Sequence, residues 1–145
     1  MLERAAWAGL IPHQGRMALI ERVLSFDQDV IHAESENHRD PDHPLRRDGR
    51  LHAVHLCEYG AQAMAVHGAL SARERGDRAL PGLLVALRGV RLAVERLDDL
   101  GGPLAIHAHR VSADPAAWLY AFRVLHGEDL LAEGQAMVML ERADD

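Results

Sequence analysis

The stretch that most constrains this chain runs from Leu51 to Leu70, LHAVHLCEYGAQAMAVHGAL. It is built largely from Ala, Gly, Val, Leu and Met and contains no proline, so a helix is expected over about His52 to Arg75. Glu74-Arg75-Gly76-Asp77 closes it, with Gly76 placed to follow the last turn. A helix that is apolar on most sides has to be covered on most sides, so the rest of the chain must wrap it. One carboxylate, Glu58, and one amide, Gln62, are set into it. They lie four apart and share one face. An acid in the first turn of a buried helix needs a partner, a hydrogen bond or a chemical task.

The flanking segments supply the cover. Met17–Phe26 and Val30–Glu36 read as two strands joined by the turn Asp27-Gln28-Asp29. After the helix the pattern changes to alternation. Leu83–Leu97 reads as a long strand with a bulge at Gly89, and Leu104–Val111 as a second, with Ile106 and Ala108 on one face and His107 and His109 on the other. Ala117–His126 is rich in aromatic and branched residues, and Leu130–Glu141 follows it. Asp114-Pro115 and His126-Gly127-Glu128-Asp129 are the turns between these last strands. Two strands, one long helix and four antiparallel strands make an α+β chain whose sheet wraps a single helix. This is the hotdog arrangement, expected as a single domain over 1–145.

Bulk properties narrow the function. A net charge of -6 argues against nucleic acid as the main partner. Cys57 is the sole cysteine, which excludes an internal disulfide and suits a reducing compartment. The start, MLERAAWAGL, lacks the pattern of a signal peptide, and no apolar run reaches the length of a membrane span. A soluble, cytoplasmic protein is expected. The longest polar stretch, Glu36–Arg50, carries two prolines and a glycine and reads as a loop. Loops of that length are more often functional than idle.

Two segments together resemble a known family. Pro12-His13-Gln14-Gly15-Arg16-Met17-Ala18-Leu19-Ile20-Glu21-Arg22-Val23 resembles the opening P-H-R-x-P-(F/M)-L-L-(V/L)-(D/E)-R-V of hotdog 3-hydroxyacyl-acyl-carrier-protein dehydratases. Glu58-Tyr59-Gly60-Ala61-Gln62 resembles their helix motif E-x-x-A-Q. Pro44-Leu45-Arg46-Arg47-Asp48-Gly49-Arg50-Leu51 ahead of that helix resembles a divergent branch found beside aryl-polyene and related pigment or lipid synthases. The resemblance implies elimination of water from a 3-hydroxyacyl thioester to the trans-2-enoyl thioester, in fatty-acid or polyene-type synthesis. It also implies an acyl carrier protein or coenzyme A as carrier, a homodimer or heterodimer, no cofactor, and Glu58 as catalytic acid. One departure stands out. The family's H-F-P-G-x-P-x-x-P-G before the helix, which holds the catalytic base, is here His43-Pro44-Leu45-Arg46-Arg47-Asp48-Gly49-Arg50-Leu51-His52-Ala53.

That departure leaves the base open among His13, His38 and His43, with His38 and His43 favoured because they lie on the long loop. Burial of Glu58 would keep it protonated for its role as acid. Backbone N–H groups at the start of the helix are natural donors to the thioester oxygen. Gln62 one turn on can hold Glu58, and with Arg46, Arg47 and Cys57 it completes the expected substrate-binding set. Each of these has a structural rival. Glu58 can pair with Arg46 or Arg47, those arginines with Asp40, Asp42 or Asp48, and Cys57 can be a small core residue. The His52/His55 and His107/His109 pairs lack further ligands and read as surface histidines rather than a metal site. Asp27 and His32 are spaced as in hotdog enoyl hydratases, without the surrounding motif. Two other functions fit the same fold: an acyl thioesterase using Glu58 toward water, and a non-catalytic partner subunit that has lost the base.

Overall fold

The computed structural model describes residues 1–77, 82–114 and 116–140. The long helix α1 spans Leu56–Glu74, extended at its start by a 3-10 turn over Ala53–His55. His52 caps that turn, its Nδ1 accepting from the Val54 N–H at 3.0 Å. At the other end Gly76 has φ +73°, the left-handed conformation that glycine adopts without strain. Its N–H donates to the Arg73 carbonyl and the Asp77 N–H to the Ala72 carbonyl, so the last turn closes as the sequence predicts.

The strands are β1 (Leu2–Glu3), β2 (Arg22–Phe26), β3 (Val30–Ser35), β4 (Gly82–Leu92), β5 (Leu104–Ala113), β6 (Ala117–His126) and β7 (Asp129–Leu140). They form one antiparallel sheet in the order β1-β2-β3-β5-β6-β7-β4. The helix packs on β3, β5, β6 and β7. Leu56, Tyr59, Val66 and Leu70 meet Ile31, Ile106 and Val124 in one buried cluster. Gly60 lets the helix approach β6 closely: a Cβ there would sit 2.7 Å from the Phe122 ring. Gly89, at φ +59°, lies where the β4–β7 register shifts between Arg88 and Arg91, which is the expected bulge.

Two expectations about the strands need correction, and one short strand is additional to them. Met17–Phe26 is a strand only from Arg22. Gly15–Met17 is a 3-10 turn, and Ala18, Leu19 and Ile20 are buried without belonging to the ladder. The reason is that side chains take their backbone groups. Gln62 binds the Met17 carbonyl and the Leu19 N–H, while Ser35 and Asn37 both donate to the Leu19 carbonyl. Leu83–Leu97 is regular only to Leu92, because the chain then turns to the start of the helix, where the Ala53 N–H donates to Glu95 and the Leu97 N–H to Leu51. The short β1, which pairs Leu2 with Val23, has no sequence signal. Asp114 ends its strand by accepting from the Ala116 and Ala117 N–H groups; Pro115 and Glu141 lie outside the described residues.

Candidate active site

Along one face of α1, Glu58 is followed by Ala61, Ala65, Gly68, Ala69 and Ala72. Such small residues leave room between helix and sheet, and a cavity of about 680 Å³ fills it. From Glu58 to Ala72 the groove follows roughly 20 Å of helix, at about 1.5 Å per residue. Its walls include Met64, Trp118, Tyr120 and Val138, and His13 and Glu58 share it with Pro12. The Trp118 ring lies against Gly68, where a Cβ would come within 3.2 Å.

Glu58 is less enclosed than the helix pattern implies, since 36% of its side chain is exposed. Two side chains approach one oxygen of the carboxylate. Gln62 Nε2 donates to Oε1 at 3.1 Å, and His13 Nε2 lies 3.4 Å from the same atom. Gln62 itself is fully buried. Its Oε1 accepts from the Leu19 N–H and its Nε2 donates to the Met17 carbonyl, both at 2.7 Å. A backbone N–H only donates and a carbonyl only accepts, so the amide has one possible orientation and must present an N–H to Glu58. Gln62 therefore ties the opening motif to the helix and restrains Glu58. Two Gln14 hydrogen bonds, to Ala8 and Ile11 carbonyls, fold the turn that carries His13.

The histidines favoured from the loop are engaged elsewhere. His38 is buried with Nε2 donating to the Leu100 carbonyl at 2.9 Å. His43 Nδ1 accepts from the Leu45 N–H, so Nε2 carries the hydrogen and donates to Tyr59 Oη, which in turn donates to Asn37. Neither lines the cavity, and the histidine that the structure brings to Glu58 is His13. A third buried ring, His67, is one that the sequence reading passed over. Its Nε2 donates to the Asp27 carbonyl and its Nδ1 meets Tyr120 Oη at 2.7 Å, behind the cavity wall. Its one sequence signal is a histidine inside an apolar helix.

Burial holds His38, His43 and His67 below the ordinary histidine pKa of 6.5. The unfolded chain therefore binds more protons than the folded one as pH falls below about 6.5, and stability drops with it. Each histidine contributes a slope of at most about 1.4 kcal/mol per pH unit. Thermal unfolding should show a lower Tm at pH 5 than at pH 7.5, and His43→Ala should reduce that difference while lowering Tm at both. An unchanged pH dependence would show that His43 does not remain neutral in the fold.

The remaining expected site residues are placed as follows. Cys57 is half-buried with its thiol pushed up by burial, and it does not line the cavity. Arg46 donates to the carbonyls of Gly49 and His38 rather than to Glu58. Arg47 and Arg50 face each other across a tight hairpin whose central residues, Asp48 and Gly49, both have positive φ. They line a second pocket, of about 360 Å³, with His52, His55, Glu95 and Arg96. Arg96 is held by Asp98 and Asp99, and Asp40 and Asp42 pair with Arg16. Donors at the helix start are already used: the N–H groups of Ala53, Val54, His55 and Leu56 bond to Glu95, His52, His52 and Ala53 respectively. The expectation that they bind a thioester oxygen is not met in this arrangement. Among the described residues no cluster of three metal-ligating side chains occurs.

Residues 5–144 match the ApeP-like family, described as ApeP dehydratase. The chain belongs to the ApeP-like dehydratase family. No functionally curated protein is similar enough in sequence to count as a relative. Among solved structures, the dehydratase heterocomplex ApeI:P from Xenorhabdus doucetiae is similar at 23% identity and a TM-score of 0.84, covering 98% of this chain and 93% of that one. A thioesterase family protein from Silicibacter pomeroyi is similar at 16% identity and a TM-score of 0.66, over 97% and 96% of the two chains. A thioesterase from Haemophilus influenzae is similar at 12% identity and a TM-score of 0.62, over 98% and 92%. These likenesses establish the hotdog fold for this ApeP-like chain. No helix among the described residues is long and apolar enough to cross a membrane.

Proposed function

We propose that this ApeP-like chain eliminates water from a 3-hydroxyacyl thioester, giving the trans-2-enoyl thioester in fatty-acid or polyene-type synthesis, with Glu58 as the proton-transfer group. The observation that carries this is a carboxylate hydrogen-bonded to Gln62 and approached by His13 at 3.4 Å, where it enters an apolar groove along four turns of helix. The groove suits an acyl chain, and the carboxylate suits the two proton movements of the elimination. Incubation with a 3-hydroxyacyl carrier protein, read by mass spectrometry, tests it: loss of water supports the dehydratase, and release of free acid supports a thioesterase of the same fold. One observation favours a non-catalytic partner subunit instead. The loop that holds the family's base carries His38 and His43, whose Nε2 atoms are each taken by a structural hydrogen bond.

The substrate is proposed to arrive on an acyl carrier protein. Carrier proteins of this kind are acidic, and Arg47 and Arg50 are exposed on the hairpin, with no ion pair to either among the described residues. His55 lines the pocket they share and lies one helical turn from Glu58. Reversal of both charges, Arg47→Glu with Arg50→Glu, should weaken carrier binding at least tenfold at low salt, measured by titration calorimetry. Unchanged binding would place the carrier elsewhere, and equal activity on the coenzyme A thioester would make coenzyme A the carrier.

A second subunit is proposed to cover β4. This strand ends the sheet, pairs with β7 on one side, and exposes Leu84, Val85, Leu87, Val90 and Leu92. An apolar free edge of that length in solution invites pairing with another chain. Sedimentation should give a dimer for the purified chain, or a heterodimer with a related hotdog chain, and Val85→Asp with Leu87→Asp should convert it to monomer. A wild-type monomer that also fails to pair would contradict this.

A further inference from the structure

We infer that Gly68 and Trp118 together set the length of acyl chain that the groove accepts. The glycine lets the Trp118 ring stand back, and chains long enough to pass the ring are admitted. This rests on the groove being the acyl site proposed above. Gly68 lies ten residues beyond Glu58 on α1, so along the helix it stands about 15 Å from the carboxylate's own position. The cavity runs past it. Ala61 and Ala65 line the stretch before Gly68, and Ala69, Ala72 and Leu140 line the stretch beyond. An extended acyl chain with its reacting carbons at Glu58 therefore enters the far stretch only by passing Trp118.

A glycine in the middle of a helix weakens it relative to alanine, so its presence calls for a reason. Gly60 and Gly68 of α1 each meet an aromatic ring of β6. Gly60 meets Phe122, which is buried in the core, whereas Gly68 meets Trp118, which forms the groove wall. A Cβ on Gly68 would lie 3.2 Å from Trp118 Cζ3, and a branched side chain there would overlap the ring.

The ring is held where it stands. The Arg110 guanidinium lies over it, with Cζ 4.9 Å from the ring centroid, and Arg110 Nη2 donates to the Gln28 carbonyl at 2.7 Å. The helix is fixed at the same level. His67, beside Gly68, donates from Nε2 to the Asp27 carbonyl at 2.8 Å and accepts at Nδ1 from Tyr120 Oη at 2.7 Å. One turn, Asp27-Gln28-Asp29, thus ties down both the helix at Gly68 and the arginine that covers Trp118. All of these contacts lie within one chain. With helix and ring both anchored, bulk added at position 68 has to be accommodated in the groove.

The test is titration calorimetry of the whole chain with two saturated coenzyme A thioesters, butanoyl and hexadecanoyl, whose shared head group cancels in the ratio of affinities. A butanoyl chain stops short of Trp118 and a hexadecanoyl chain reaches it. In wild type the longer chain should bind more tightly, because each buried methylene adds to affinity. In Gly68→Val the ratio should fall by about tenfold or more. Adding Trp118→Leu to that variant should recover most of the ratio, since the smaller side chain gives the space back. A ratio that Gly68→Val leaves unchanged, or a fall that Trp118→Leu does not reverse, would overturn the inference. If Gly68→Val unfolds, which its melting curve shows, Gly68→Ala supplies the same comparison with a smaller fall, and an unchanged ratio there overturns it equally. Equal binding of both lengths by wild type would overturn the acyl groove and the inference together. Absence of water loss in the mass-spectrometric assay would overturn the dehydratase reading, while the binding ratio still decides the role of Gly68 and Trp118.

Discussion

Gln62→Leu should destabilise the fold by about 3 kcal/mol and lower the melting temperature by roughly 6–12 °C. The leucine fills nearly the same volume, so the loss is not one of packing. It is the loss of partners for the Leu19 N–H and the Met17 carbonyl, both bonded at 2.7 Å to a side chain with no exposure. A buried backbone group left unpaired costs about 1–3 kcal/mol. The same change releases one donor from Glu58 and loosens the segment that carries His13. Activity per folded molecule should therefore fall as well, which a purely structural residue distant from the site would not produce. Thermal or urea unfolding with an activity assay below the transition checks both. A loss of less than about 1 kcal/mol would show that the loop finds other partners for these groups.

Glu58→Gln should leave stability nearly unchanged and lower turnover by about 10²–10⁴-fold. The side chain is more than a third exposed, so no large folding term depends on its charge. The new carboxamide can turn its oxygen toward Gln62 and place its NH₂ where Oε2 stood, which preserves the shape of the site. What it cannot do is accept and return a proton. A large loss of activity in a folded variant would separate chemistry from architecture.

The parts of this molecule that depend on local pattern were legible from the residues. Gly76 closes the helix, Gly89 makes the bulge, and Ala117–His126 is a strand to the residue, because turn chemistry and period-2 alternation act within a few positions. Met17–Ile20 misled for a physical reason. It is apolar enough for a strand, yet its hydrogen bonds come from Gln62, Ser35 and Asn37, residues 16–45 positions away. The pairing of Glu58 with Gln62 followed from helical spacing. The approach of His13 to Glu58 did not, since His13 lies forty-five residues before Glu58 and reaches it through the turn folded by Gln14. The P-H pair of the opening motif was the available signal. The loop position points instead to His38 and His43, and both are buried.

The most direct test of the central claim is a time course of wild type and Glu58→Gln on a 3-hydroxyacyl carrier protein, followed by intact-protein mass spectrometry. The expected result is loss of one water from the acyl group with wild type and almost none with the variant. Equal loss of water by both proteins would remove Glu58 from the chemistry, and release of free acid by wild type alone would replace the dehydratase with a thioesterase.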